Sequence, residues 1–457
     1  MFRWTAVSQP GGEETPRYRM VRWMLLALTV VSTLAVLGLF VNLLSVDGIN
    51  WAEYLLLPIF TLLFSWIAFS FWTATWGLWL VLFGRNPQEE SDSSESPQEP
   101  RPLSSTAVLM PIYNESPTSV FSGVEAMLQS VQATGKAGTF DFFILSDTTD
   151  PDIWLEEERA WARLVAESGP RPRVFYRRRP RNQSRKAGNI ADFCCRWGSQ
   201  YEYMIVLDAD SVMEGETLVE MVRRMDADPK LGILQVPPAP VNRLSLFARL
   251  QQFASRLYSD ILIQGFCSWA QFDSNYWGHN AIIRVEPFTQ HCGLPVLPGK
   301  APLGGEILSH DFVEAALMAR AGWKVRLAHD LGGSYEECPT TLLDFAKRDQ
   351  RWCQGNMQHI RLIFSEGFRP ISRLHLTMGA MAYVSAPLWL TFMLLSAVAM
   401  WLDGDRPPGN PVWMIDASII FGITMLLLLL PKFFSVIALI KQPKRLQEFG
   451  GWDNVVG

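Results

Sequence analysis

Residues 203–216 read YMIVLDADSVMEGE, an apolar run that ends in two aspartates one residue apart. Carboxylates at the end of a buried strand serve two chemistries. They hold a divalent cation beside a nucleotide diphosphate, or the first of them accepts a phosphoryl group. Similar short apolar runs surround this one: TAVLMPI (106–112), FDFFILSD (140–147), RVFYRRR (173–179), GILQV (232–236) and NAIIRV (280–285). Helical patterns separate the early runs, at 120–134, 153–168, 189–200 and 215–229, the last closed by a proline. Strands alternating with helices predict an α/β domain with a mostly parallel sheet, covered on both faces, whose ligands bind at the carboxyl ends of the strands. Asn114, Glu115, Asp147, Asp208 and Asp210 all fall at those ends.

The chain has 457 residues, 49% of them hydrophobic, with a net charge of −5. Nothing in that charge balance points to nucleic acid. The apolar residues concentrate in four blocks, 23–44, 54–83, 376–402 and 412–440, each long enough to cross a bilayer. Lys and Arg crowd one set of flanks (Arg17, Arg19, Arg22, Arg85, Arg369, Arg373, Lys441, Lys444, Arg445) and nearly avoid the other, which places both termini and the large insert in the cytoplasm of a multi-pass membrane protein. The first block lacks a cleavage site and reads as a retained anchor. The expected organisation is a tail at 1–22, two transmembrane helices within 23–84, a disordered acidic linker at 85–105, the α/β domain at 106–355, an interfacial amphipathic helix at 356–371, two further transmembrane helices within 374–441, and a short, truncated C-terminal tail at 442–457. The six cysteines show no metal-ligand spacing and read as free thiols.

The string DADSV matches the DxDx(T/V) pattern of haloacid-dehalogenase-type phosphatases, which also need a later lysine and a second acidic pair. That reading leaves the upstream motifs unused. A sugar-nucleotide transferase uses them: Asp210 takes the metal, Asp208 faces the nucleotide with a share in the metal, Asp147 reads the base or ribose, and Lys186 in RKAGN meets a phosphate as a mobile charge.

PIYNE, LSD, KAGN, DAD, SHDF and RDQRW occur in the order found in inverting family 2 glycosyltransferases of GT-A fold flanked by membrane helices, as in cellulose synthases. FYRRRPRNQSRKAGNIADFCCRWG, YWGHNAIIRV and ILSHDFVEAALMARAGW more closely resemble the glucans biosynthesis glucosyltransferase H family. The resemblance implies a Rossmann-like GT-A domain in the bacterial inner membrane. It implies transfer from UDP-glucose, with Mg2+ or Mn2+, onto a growing β-1,2-linked glucan that emerges in the periplasm, and an acyl carrier protein as a linked partner. A transferase adding one sugar to a lipid carrier is the alternative within the family. Asp311 in SHDF stands at the position of the family's general base, with Ser309 and His310 where Thr and Glu are usual. The same position is also a helix start that suits a carboxylate. RDQRW matches the QxxRW box with Arg348 in place of glutamine, so the resemblance assigns Arg351 to the diphosphate and Trp352 to stacking on the acceptor sugar; membrane-interface anchoring is the other reading of Trp352. His279 is placed against the acceptor or a backbone carbonyl. Trp66, Trp72, Trp76, Tyr383, Ser385 and Trp389 are candidates to line an export path.

Overall fold

The computed structural model describes residues 16–45, 48–84, 102–402 and 411–449. Residues 85–101 of the expected linker, the first 15 residues, the loop 403–410 and the last eight residues lie outside the described residues. Contacts group the described chain into two units, one of 102–255 and 270–380, the other of 16–84, 256–269 and 381–449.

The first unit is built on a seven-stranded sheet. Its strands are β1 (Thr106–Ile112), β2 (Phe140–Ser146), β3 (Arg173–Arg178), β4 (Tyr203–Val206), β6 (Leu231–Gln235), β8 (Ala281–Arg284) and β9 (Lys324–Leu327), in the order β3-β2-β1-β4-β8-β6-β9. Only β8 runs against its neighbours, pairing antiparallel with β4 and β6. The strands show no polar–apolar alternation because both faces are covered. Ala107 and Leu109 of β1 enter one core with Phe143, Leu145, Met204 and Val206, while Val108, Met110 and Ile112 enter the other with Phe142, Ile144, Tyr203 and Ile205. Each of these side chains is buried, so two hydrophobic cores sandwich the sheet.

Helices Pro117–Ala133, Pro151–Glu167, Arg185–Trp197 and Gly215–Ala227 fall where the periodicity predicts them. Strand β9 escapes it, as do two larger features. A second sheet joins the short strands β5 (Val212–Met213), β10 (Ser334–Glu337) and β7 (Ala239–Val241) in the order β5-β10-β7, with Ser334 opposite Met213 and Tyr335 opposite both Val212 and Ala239. Strands this short carry no legible period, yet this sheet brings Glu336 back beside the segment that follows Asp210. The other is the helix Leu246–Ala270.

The amphipathic helix expected at 356–371 is not formed. A helix runs Leu342–His359, turns follow, Gly367 has φ +82°, and the next helix starts at Pro370. The reason is burial. Gln358 and His359 are fully enclosed, Gln358 donates to the carbonyls of Gly304 (3.1 Å) and Glu306 (2.9 Å), and Leu362 and Phe368 pack into the core under the sheet. Leu362, Ile363 and Phe368 of this stretch therefore serve the α/β unit itself, while Ile360 and Phe364 stay exposed.

In the second unit, four helices are long and apolar enough to span a membrane: Tyr18–Leu44, Trp51–Phe83, Pro370–Leu402, of which 381–402 belong to this unit, and Met414–Lys441. The second opens with a capping box, Asn50 accepting from the Ala52 and Glu53 amides while Glu53 accepts from the Asn50 amide. Phe40 stacks on Phe60 at 4.3 Å, and Asn42 donates to Asp416 at 2.5 Å, which gives a polar pair in an apolar bundle its partner. Gly77 and Gly265 allow the backbones of 51–83 and 256–269 to touch: a side-chain carbon at Gly77 would lie 1.8 Å from the Ile261 carbonyl oxygen.

Candidate active site

β4 ends at Val206, and Leu207 carries the chain into a tight turn in which the Ser211 amide donates to the Asp208 carbonyl (3.0 Å) and the Asp208 amide to the Ser211 hydroxyl (3.1 Å). The turn lifts Asp208 and Asp210 out of the sheet. Lys186 meets the first of them from the first turn of Arg185–Trp197: its Nζ contacts the Asp208 carboxylate and donates to the Gly278 carbonyl at 2.7 Å. That lysine is aimed by its neighbours. Ser184 and Arg185 adopt φ of 55° and 49°, which folds the approach back on Gly188, where a side-chain carbon would sit 2.1 Å from the Gln183 carbonyl oxygen. Asn189, buried, donates to the Leu145 carbonyl (2.8 Å) and ties the helix to β2.

Gly278 is the meeting point. Its φ is +87°, its carbonyl receives Lys186, and a side-chain carbon on it would stand 3.5 Å from Asp311. Asp311 therefore shares a cleft with Lys186 and Asp208, although 103 positions separate the two aspartates (311 − 208). The loop is held by Gln235, whose amide donates to the carbonyls of Val236 and His279 (both 2.9 Å) and whose oxygen accepts from the Trp277 amide (2.9 Å). His279 lies 3.1 Å from the Trp277 carbonyl, the carbonyl contact expected of it, and 2.8 Å from the Glu336 carboxylate, with Asp208 3.6 Å away.

Electrostatics distinguish the carboxylates. Burial works against the charge on Asp208, but Lys186 and His279 overcome it and hold the group at about 2. Burial, then the Asp208 charge, pushes Asp210 up to about 6. Burial likewise raises Glu115 to about 7, against hydrogen bonds from the backbone amides of Tyr113 and Glu115 and with Asp208 adding to the rise. For Asp311 burial again comes first, the charge of His310 opposes it and that of Glu314 adds to it, and the net direction is upward.

At the neighbouring strand end, Asn114 (φ 58°) accepts from the Thr149 and Asp150 amides (both 3.1 Å), joining the ends of β1 and β2. Asp147 is buried and gripped by Arg179 through two bonds of 2.7 Å. Beneath it, the buried Glu157 accepts from Ser146 (2.7 Å), Thr148 (2.5 Å) and Tyr176 (2.8 Å).

Residues 203–436 match the family described as glycosyl transferase family group 2, a span of more than half the chain. The chain belongs to glycosyl transferase family group 2. Residues 107–291 also match glycosyl transferase family 2. Among relatives of this family group 2 chain, a glucans biosynthesis glucosyltransferase H from Shewanella oneidensis is 48% identical over 419 residues, covering 89% of this chain and 57% of the relative. Another of the same description from Cupriavidus pinatubonensis is 46% identical over 448 residues, covering 95% and 52%. The chain thus spans about half the length of the curated relatives it matches. A mannosyltransferase from Pyrobaculum calidifontis, solved in complex with GDP-Man and Mn2+, shares the fold with a TM-score of 0.53 and 16% identity, over 85% of this chain and 98% of its own. The architecture is the GT-A-like one, flanked by apolar helices, and the phosphatase reading falls away.

Within this family group 2 domain, the helix Leu342–His359 carries Arg351 and Trp352 and is docked on the segment before Asp311: a side-chain carbon at Gly355 would stand 2.2 Å from the Ser309 hydroxyl, and His359 Nε2 lies 3.0 Å from the Ser309 carbonyl. Arg351 and Trp352 are both exposed, and among the described residues no contact joins either to Asp208, Asp210 or Asp311. Trp352 instead faces the Arg348 guanidinium at 4.5 Å, so the arginine standing where glutamine is usual props the indole. Sequence reasoning missed the Arg179 clamp on Asp147, Gly278 as the meeting point of the cleft, and Glu336. The sequence signals for Gly278–His279 and for Glu336 are the short strings GHN and SYEE.

The residues fit a divalent ion. Asp208 and Asp210 are two hard carboxylates one residue apart; burial raises the second and the Asp208 charge adds to the rise, and a cation beside them would offset both costs. Among the described residues no three His, Cys, Asp or Glu side chains group closely enough to hold a metal unaided. That suits an ion completed by substrate phosphates and water.

Proposed function

We propose that this chain transfers glucose with inversion from UDP-glucose to the end of a growing β-1,2-linked glucan, at the cytoplasmic face of the bacterial inner membrane. The observation that carries the reading is Gly278, around which Lys186, Asp208 and Asp311 converge, in a chain whose relatives are described as glucans biosynthesis glucosyltransferases. Asp311 takes the proton of the acceptor hydroxyl as that oxygen bonds to the anomeric carbon, and the bond from that carbon to the UDP oxygen breaks on the opposite face. Lys186 neutralises the departing diphosphate. Asp208 and Asp210 hold Mg2+ or Mn2+, which supplies further charge neutralisation there when bound. Glu115, Asn114 and Asp147 line the nucleotide side, Arg351 reaches the diphosphate, and Trp352 offers an aromatic face to the acceptor sugar.

Export of the product is part of the proposal. A cavity of about 540 Å³ lies among the apolar helices; Trp66, Ser385 and Trp389 line it together with mostly apolar side chains such as Ile261, Leu262 and Leu427. An acyl carrier protein as partner rests on family resemblance alone; the topology with both termini cytoplasmic rests on the Lys and Arg at the flanks of the apolar blocks, and the domain limits on composition and periodicity.

The test incubates membranes carrying the protein with radiolabelled UDP-glucose and magnesium, then sizes the product and maps its linkages. A β-1,2-linked polymer with release of UDP is expected. A single glucose on a lipid would replace the polymer reading with the lipid-carrier one, and no UDP release would end both.

A further inference from the structure

The helix His310–Arg320 holds a pair of ionisable groups with no assigned role. His310 Nδ1 stands 3.1 Å from Glu314 Oε2, the two side chains being 12% and 3% exposed. Neither atom has a hydrogen-bond partner elsewhere among the described residues. A carboxylate stripped of water needs a cation or a proton, and among the described residues the imidazole one turn away is the ion-pair partner within 4 Å of it. The pair sits at positions i and i+4 on one helix face, with Asp311 between them in sequence and adjacent to the histidine. The helix start is fixed from outside by Gly355 and His359 pressing on Ser309.

We infer that His310 and Glu314 form a buried ion pair whose imidazolium faces Asp311 and keeps that carboxylate ionised in a dry site; the inference rests on the reading of Asp311 as the base. The charge pattern requires something of the kind. Asp311 and Glu314 are two carboxylates in one enclosed turn and oppose each other's ionisation. A histidine at 310, where the resemblance places Glu, turns what would be a third negative charge into the compensating positive one. The other groups that face the pair are Lys186 and Cys194 from Arg185–Trp197, Asp208 beyond β4, Tyr276 ahead of β8, and Cys292. Lys186 is engaged with Asp208 and Gly278, and the Tyr276 hydroxyl is buried without a hydrogen-bond partner among the described residues, so of these groups His310 is the cation that serves Asp311. Burial disfavours a charged imidazole here, yet Glu314 and then Asp311 outweigh it, and His310 shifts toward the protonated form.

His310 is a positioning residue in this account, so its test reads a pH profile. The acid limb of kcat/KM for UDP release, at saturating divalent ion, should move up by about one pH unit in His310→Gln, because Asp311 loses its cation and keeps the Glu314 charge. KM for UDP-glucose should stay unchanged. Adding Glu314→Gln should move the limb most of the way back, and His310→Arg should leave it in place. A loss that is equal at every pH, or a double variant worse than His310→Gln, overturns the pair. A second measurement needs no variant of His310: with ring-labelled histidine, of which the chain has six, His310 should be an imidazolium at neutral pH in the wild type and neutral in Glu314→Gln. A neutral His310 in the wild type overturns the inference. Failure of the wild type to release UDP would instead sink the transferase reading, which separates the two.

Discussion

Replacing Arg179 by Met exposes how much of the nucleotide side of the cleft rests on one ion pair. Arg179 and Asp147 are 9% and 4% exposed, and both Asp147 oxygens accept from the guanidinium at 2.7 Å. The variant keeps the volume of the arginine stem but leaves a carboxylate in a dry pocket. Breaking a buried pair from one side costs about 3–5 kcal/mol, most of it the desolvation of the abandoned charge. At about 2–4 °C per kcal/mol for a unit of this size, the melting temperature should fall by about 6–20 °C. The double variant Arg179→Met with Asp147→Asn removes the stranded charge and should recover most of the loss. Thermal unfolding of the detergent-solubilised full chain, followed by near-ultraviolet circular dichroism, reads both. A fall worth less than about 1 kcal/mol, or a double variant no better than the single, would refute the claim that the pair is buried and mutually compensating.

Three further outcomes follow from the same geometry. Asp311→Asn should lower turnover by about two to four orders of magnitude while UDP-glucose binding, followed by calorimetry, is retained; loss of binding instead would mean that Asp311 supports the donor site. Glu115 has a folded pKa of about 7 against an ordinary 4.5, so the folded state keeps a proton that the unfolded chain has released, and stability falls as pH rises from about 4.5 to about 7. Glu115→Gln should therefore match the wild type below that window and exceed it in melting temperature above it, and equal curves at pH 8 would contradict the assignment. Leu109→Ala, at a fully buried position of the central strand β1, should cost about 2–5 kcal/mol in denaturant unfolding.

The local physics of this chain was legible in its letters. Charge-free stretches of bilayer length can satisfy their backbone groups only as helices, and strand-length apolar runs between amphipathic helices have one economical arrangement, a sheet covered on both faces. Asp208 and Asp210 were visible because an apolar strand that ends in acids is costly unless the acids are used. Glu336, Arg179 and the His310–Glu314 pair were not, because what makes each notable is a partner far away in sequence or a degree of burial that the local pattern does not encode. The stretch 356–368 shows the same limit: its period matched an interfacial helix, yet enclosure of Gln358 and His359 ended the helix early.

Sequence alone, then, determined the apolar spans and the strands and helices of the first half of the α/β domain, since those follow from short-range periodicity and the cost of burying unpaired backbone. Tertiary structure alone decided that Gly278 would be the place where Lys186, Asp208 and Asp311 meet, and which carboxylate would face which cation. Those outcomes depend on distances between residues a hundred positions apart, and on water excluded by the folded whole.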